Sequence, residues 1–356
     1  VPNRLPLDDV HRARGAVMQE AAGFIVPAHY GDVTAEYGAA RDGTGVIDRS
    51  LVGKVTVTGR DRQTFLQGML TNDIKNLSPG QGIGAAFLDA HGKVMALLHV
   101  YALEDRLLLE LPPGLTEQTL RLLDKYLISE KAYFEAADES YCVLSVEGQS
   151  ARGLLAGLAG RSLDLAPYEH VEVSIAGAPV RVVARSETGG PGCQCWTMTF
   201  HGAALWQALV ESGARPVGAQ ALGVLRVEAG IPWYGHDVDE TVILPETRLE
   251  GLVSYNKGCY LGQEVVARVK YRGHVNRALS GLALDGDRVP DSGAKVLGDG
   301  KEIGRVTSAV RSIALGRPIA LGYVRREHFD PGTAVVVQQG ELSIPARVAA
   351  LPFVSP

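Results

Sequence analysis

A strand that stops at a glycine and is followed by a helix occurs twice in this chain, about ninety residues apart, and that repeat limits the folds available to it. In Val55-Thr56-Val57-Thr58-Gly59 the residues alternate as a half-buried strand does. The run Arg60–Leu70 then places Phe65, Leu66, Met69 and Leu70 six, seven, ten and eleven residues after the glycine, the spacing of one helical face. Val143–Gly148 and the run after it repeat the device, with Leu154, Leu155 and Leu158 six, seven and ten residues past Gly148. Strand candidates follow the first copy at 84–88, 93–101 and 106–111, and an amphipathic helix at 116–127. After the second copy come strand candidates at 171–175, 180–184 and 195–200, then a helix over 203–212. Each half reads as an α+β unit of ferredoxin-like character.

From Arg277 the texture changes to short alternating runs (278–284, 294–296, 304–309, 320–324, 334–338 and 344–349) separated by turn clusters such as Gly298-Asp299-Gly300. That pattern predicts an antiparallel β-barrel. The expected organisation is therefore a first α+β unit over 1–138, a second over 139–276 and a C-terminal barrel over 277–356.

Composition narrows the function. A net charge of -5 gives no global attraction to nucleic acid or to an acidic membrane surface, so direct nucleic-acid binding is not expected. Four cysteines in 356 residues are no disulfide framework and point to a reducing compartment. No apolar run is long enough to span a membrane, and no secretory signal opens the chain. A cytoplasmic location is expected, or the mitochondrial matrix in a eukaryote.

The segment Lys257-Gly258-Cys259-Tyr260-Leu261-Gly262-Gln263-Glu264 leads into the helix-forming run Val265–Val269. A nearby cation and a helix N-terminus both favour thiolate, so Cys259, with Lys257 as its activator, is the candidate reactive group. Beyond it Arg268, Lys270, Arg272, His274 and Arg277 form a local basic cluster suited to an anionic group.

Three other segments carry less. Cys193-Gln194-Cys195 lacks the further ligands a metal site needs and reads as strand packing. His236–Glu240 lacks the glycine and bidentate glutamate of a calcium loop. Gly80–Gly84 feeds a strand rather than a helix, and so is a turn and not a phosphate cradle. No metal site is expected.

Lys257–Glu264, continued by Ala267-Arg268-Val269-Lys270-Tyr271-Arg272-Gly273, resembles the signature of the YgfZ family of folate-binding proteins, relatives of the glycine-cleavage T protein. Looser matches stand at Phe65–Asp73, Asp89–Lys93 and Arg226–Pro232. The resemblance implies an aminomethyltransferase-like fold, with a folate pocket between the α+β units and the barrel as its cap. It implies tetrahydrofolate or a derivative as ligand, bound through Glu228, Arg226, Asn72, Asp89, Tyr260 and Gln263. Glu228 is the match to the glutamate that hydrogen-bonds the pterin. The resemblance further implies iron–sulfur client enzymes and a part in their assembly or repair. Aminomethyltransferases carry paired aspartates where this chain has Met95 and Ala96, neither of which exchanges a proton. The expectation is thus a folate-binding accessory protein working through Cys259. Its rivals are a tetrahydrofolate-dependent aminomethyltransferase-type one-carbon transferase and an RNA-contacting tRNA-modification factor.

Overall fold

Both glycines that end the repeated strands have left-handed backbone, Gly59 at φ 93° and Gly148 at φ 106°. At each, a carbonyl packs where a Cβ would stand: that of Lys131 against Gly59 and that of Gly43 against Gly148. No other residue type meets both demands at little cost. The helices Arg62–Met69 and Ala151–Ala159 follow these turns and bury Phe65, Leu66 and Leu155 against their sheets. Each fully buried leucine contributes about 1.5–3 kcal/mol.

The computed structural model describes residues 1–355. The first unit is built on a five-stranded sheet ordered Gly82–Leu88, Val94–Ala102, Leu107–Leu111, Gly53–Thr58, Tyr133–Ala136. The second is built on a six-stranded sheet ordered His170–Ile175, Ala178–Val183, Gly192–Met198, Tyr141–Glu147, Gly45–Asp48, Arg215–Pro216. Gly45–Asp48 precedes the first sheet in sequence yet pairs with Tyr141–Glu147, so the two halves are woven together. Residues before 50, which carry no repeat, add a small three-stranded sheet and the helices Asp8–Ala13 and Val33–Asp42.

The six strands from Arg277–Leu284 to Leu342–Ala349 close into an antiparallel barrel around Leu282, Val296 and Val337. The architecture is the expected one: two α+β units of aminomethyltransferase-like fold plus a C-terminal barrel. The polar counterpart of this packing is a row of side chains that the two large sheets turn toward each other, and it forms the floor of the central cavity.

Candidate functional site

A cavity of about 920 Å³ lies between the units. Its walls include Val26, Leu97, Leu252 and Trp233, and its floor carries His99, Glu110, Arg185 and Glu187, with Arg49 beside them. None of the lining residues belongs to the barrel. The expected cap is instead supplied by the segment 231–252 and the N-terminal sheet.

The floor is a polar network. Nη1 of Arg185 donates to Glu110 at 2.9 Å and to Glu187 at 2.7 Å, and its Nε donates to Nε2 of His99 at 3.2 Å. The amide of Gln194 donates to both carboxylates, Tyr101 donates to Glu110, and Nη2 of Arg49 pairs with Glu187 at 3.3 Å. Buried charges persist only when partnered in this way. Burial pushes the Glu187 carboxyl up, but the cations of Arg185 and Arg49 more than offset it and hold it well below the usual carboxylate range. Burial, then the charge of Arg185, keeps His99 well below its ordinary value, so the ring is neutral at pH 7. With Arg185 donating to Nε2, its proton resides on Nδ1, which faces Glu110 at 3.9 Å. Tyr168 stacks on His99 with ring centroids 5.6 Å apart, from a backbone at φ 66° that an aromatic residue seldom adopts.

Behind the floor lies Glu147, which is fully buried and accepts from Ser145, Ser186, Thr188 and the backbone N–H of Glu187. It holds the loop that carries Arg185 and Glu187. Burial pushes its carboxyl up to about 7 despite those donors.

None of the eleven site residues expected from the sequence lines this cavity. The ammonium of Lys257, expected to activate the thiol, donates to the carbonyls of Gln67, Leu70 and Asn72 at 2.6, 2.6 and 2.8 Å. Burial lowers it to about 8. Cys259 is exposed, whereas Cys142, Cys193 and Cys195 are buried.

Glu228, expected to face a pterin, is engaged inside the fold. Its oxygens accept from Tyr37, Ser312 and the N–H of Ala314, which ties the helix Ala219–Glu228 to the helix Val33–Asp42 and to the barrel. Arg226 is likewise committed, to Asp237 and Ser308 at 2.7 Å each. Asn72 donates to the carbonyls of Gly84 and Gly251, and Asp89 closes its own turn by accepting from His91 and Lys93. Gln263 accepts from the N–H of Tyr260 at the start of the helix Gln263–Arg272. Arg268, Lys270 and Arg272 are exposed on that helix, with Lys270 paired to Glu250. Polar identity alone did not separate these structural roles from ligand contacts. The better signal was a charged residue inside an apolar strand, as Glu110 is in Leu107-Leu108-Leu109-Glu110-Leu111.

The profile of the GCVT N-terminal domain matches residues 7–257, and that of the glycine cleavage T-protein C-terminal barrel domain matches residues 277–355. The chain belongs to the glycine cleavage T-protein family. An aminomethyltransferase of Streptomyces coelicolor is 34% identical, with 98% of this chain and 97% of that protein covered. One from Rubrobacter xylanophilus is 32% identical, with 98% and 94% covered. The crystal structure of glycine cleavage system aminomethyltransferase T from Bartonella henselae superposes with a TM-score of 0.92 at 25% identity, covering 100% of this chain and 99% of that one. These full-length matches overturn the placement in the YgfZ family, which rested on one signature and three looser matches. The iron–sulfur and tRNA-modification roles and their client enzymes, which came only with that placement, go with it. No helix among the described residues is long and apolar enough to cross a membrane.

Proposed function

We propose that this protein is a one-carbon transferase that binds a tetrahydrofolate-type acceptor in the central cavity and takes the carbon from an aminomethyl donor. The cavity carries the reading: at about 920 Å³ it has the volume of a cofactor-sized site, with apolar walls for a flat ring and a few convergent polar groups. Family membership over the whole chain supports the reaction class.

Transfer of an aminomethyl carbon forms bonds to the acceptor nitrogens and breaks those to the amine and to the donor's carrier atom, so the protons lost by the acceptor must pass to the two leaving groups. Met95 and Ala96 do not line the cavity and carry no exchangeable proton. Of the residues that the strand Val94–Ala102 does place there (Leu97, Leu98 and His99), His99 alone can exchange one. We assign the proton step to Nε2 of His99, whose lone pair becomes available when a ligand displaces the 3.2 Å contact from Nε of Arg185, with Glu110 beyond Nδ1.

The test is titration of tetrahydrofolate into the full chain, followed by an assay of tetrahydrofolate-dependent ammonia release from an aminomethyl donor. His99→Asn is expected to lower kcat by about 10²-fold or more, with KM changed little. Failure of tetrahydrofolate both to bind and to accept carbon would end this reading.

A further inference from the structure

Arg49 lines the cavity with hydrogen-bonding capacity to spare. Its side chain is only 12% exposed, yet its contacts are a 3.3 Å ion pair with Glu187 and the ring of Trp233, 5.3 Å from the guanidinium carbon. Its Nε is buried without a hydrogen-bond partner. A buried guanidinium with five donors seldom goes so unpaired. Glu187 does not fill the gap, because its other oxygen is already taken by Arg185 and Gln194. On the far side of Glu187, Arg185 spends Nε and Nη1 on His99 and the two glutamates, while its Nη2 has no partner among the described residues. Two guanidiniums that flank one carboxylate thus keep spare donors in the same cavity.

We propose that Arg49 and Nη2 of Arg185 form a carboxylate-binding subsite, completed by an acid group of the ligand. A planar carboxylate accepts parallel N–H bonds, which suits unfilled guanidinium edges. Glu110 and Glu187 stand behind the same cations and would repel a dianion such as phosphate, so the subsite selects a single negative charge. The acid group can come from the glutamyl tail of a folate or from a separate small amino acid. The proposal deepens the transferase reading and rests on it for the ligand's identity, but not for the subsite itself.

Calorimetry on the full chain distinguishes these sources, with tetrahydrofolate, 6-methyltetrahydropterin (which carries no carboxylate), and acetate or N-methylglycine as probes. If the tail supplies the carboxylate, Arg49→Gln weakens tetrahydrofolate by about tenfold or more and leaves 6-methyltetrahydropterin unchanged, the loss expected for one charge-assisted hydrogen bond. If a small acid supplies it, Arg49→Gln spares both pterins and weakens acetate or N-methylglycine by a similar factor. Arg49→Lys, which keeps the charge without the fork, falls between. Melting curves confirm that the variants are folded. Equal affinity of wild type and Arg49→Gln for every probe overturns the subsite. Absence of tetrahydrofolate binding in the wild type, with acetate binding still dependent on Arg49, defeats the transferase reading and leaves the subsite standing.

Discussion

Glu110 and Glu187 converge on a single nitrogen, Nη1 of Arg185, at 2.9 and 2.7 Å. Glu110 comes from the five-stranded sheet of the first unit, and Glu187 from the loop that joins two strands of the six-stranded sheet. One guanidinium therefore neutralises a carboxylate from each half and joins the units at the cavity floor. Moving either sheet would therefore also move the polar groups that line the cavity.

Arg185→Met leaves both carboxylates buried without their shared cation. Breaking a buried ion pair from one side typically costs about 3–5 kcal/mol, and that loss is expected in urea unfolding at pH 7. Adding Glu110→Gln and Glu187→Gln to Arg185→Met removes the stranded charges and should recover a large part of it. Equal stability of wild type and Arg185→Met would show that solvent in the cavity, and not Arg185, compensates the pair.

Glu147 predicts a pH dependence with a definite sign. Its folded value, about 7, lies above the unfolded value of 4.5, so in that interval the native state holds a proton that the unfolded chain has released. Stability from this group is fully present below pH 4.5 and is lost as pH rises through 7. At 1.36 kcal/mol per unit the loss is about 3 kcal/mol across the window. Chemical unfolding of Glu147→Gln between pH 5 and 8 should lack this slope. Parallel curves for the two proteins would assign the titration elsewhere.

The repeat was legible because period two and period 3.6 meet at a glycine whose left-handed backbone the fold requires, at Gly59 and again at Gly148. The barrel was legible from alternation alone. The exchange of Gly45–Asp48 into the second sheet was not, because strand pairing between distant segments leaves no local pattern. The cavity residues are hard to read from the sequence for a related reason. Lys257, Glu228 and Arg226 stand out in the chain, but their hydrogen-bonding capacity is spent inside the fold. Arg49 and His99 stand in unremarkable sequence and acquire their setting from residues far along the chain.

Glu228→Gln tests whether Glu228 serves the fold. A carboxylate that accepts from Tyr37, Ser312 and Ala314 becomes an amide with one oxygen, and the helix-to-barrel contact weakens. A loss of about 1.5–3 kcal/mol, the range for hydrogen bonds to a charged group, is expected in unfolding experiments. Tetrahydrofolate affinity should stay within about twofold of wild type, because Glu228 lies outside the large cavity. A tenfold loss of affinity in a variant of native stability would return Glu228 to the ligand.

Thiol accessibility separates Cys259 from its siblings. Burial pushes the Cys142 and Cys193 thiols up to about 12 and about 11, and Cys195 well above its ordinary value, so these three are both shielded and protonated at pH 8. Iodoacetamide should therefore label one cysteine per native chain, at Cys259, and four after unfolding. Lys257→Met removes the donor shared by the carbonyls of Gln67, Leu70 and Asn72, and about 2–3 kcal/mol of stability is expected to go with it. Cys259→Ser, at an exposed position, should change stability by less than about 0.5 kcal/mol. The diagnostic quantity is the alkylation rate of Cys259 in native Lys257→Met. If Lys257 serves the backbone, as its three carbonyl partners indicate, that rate stays near the wild-type value from pH 7 to 9. A fall of tenfold or more at pH 7, with the label still confined to Cys259, would restore Lys257 as the activator of the thiol.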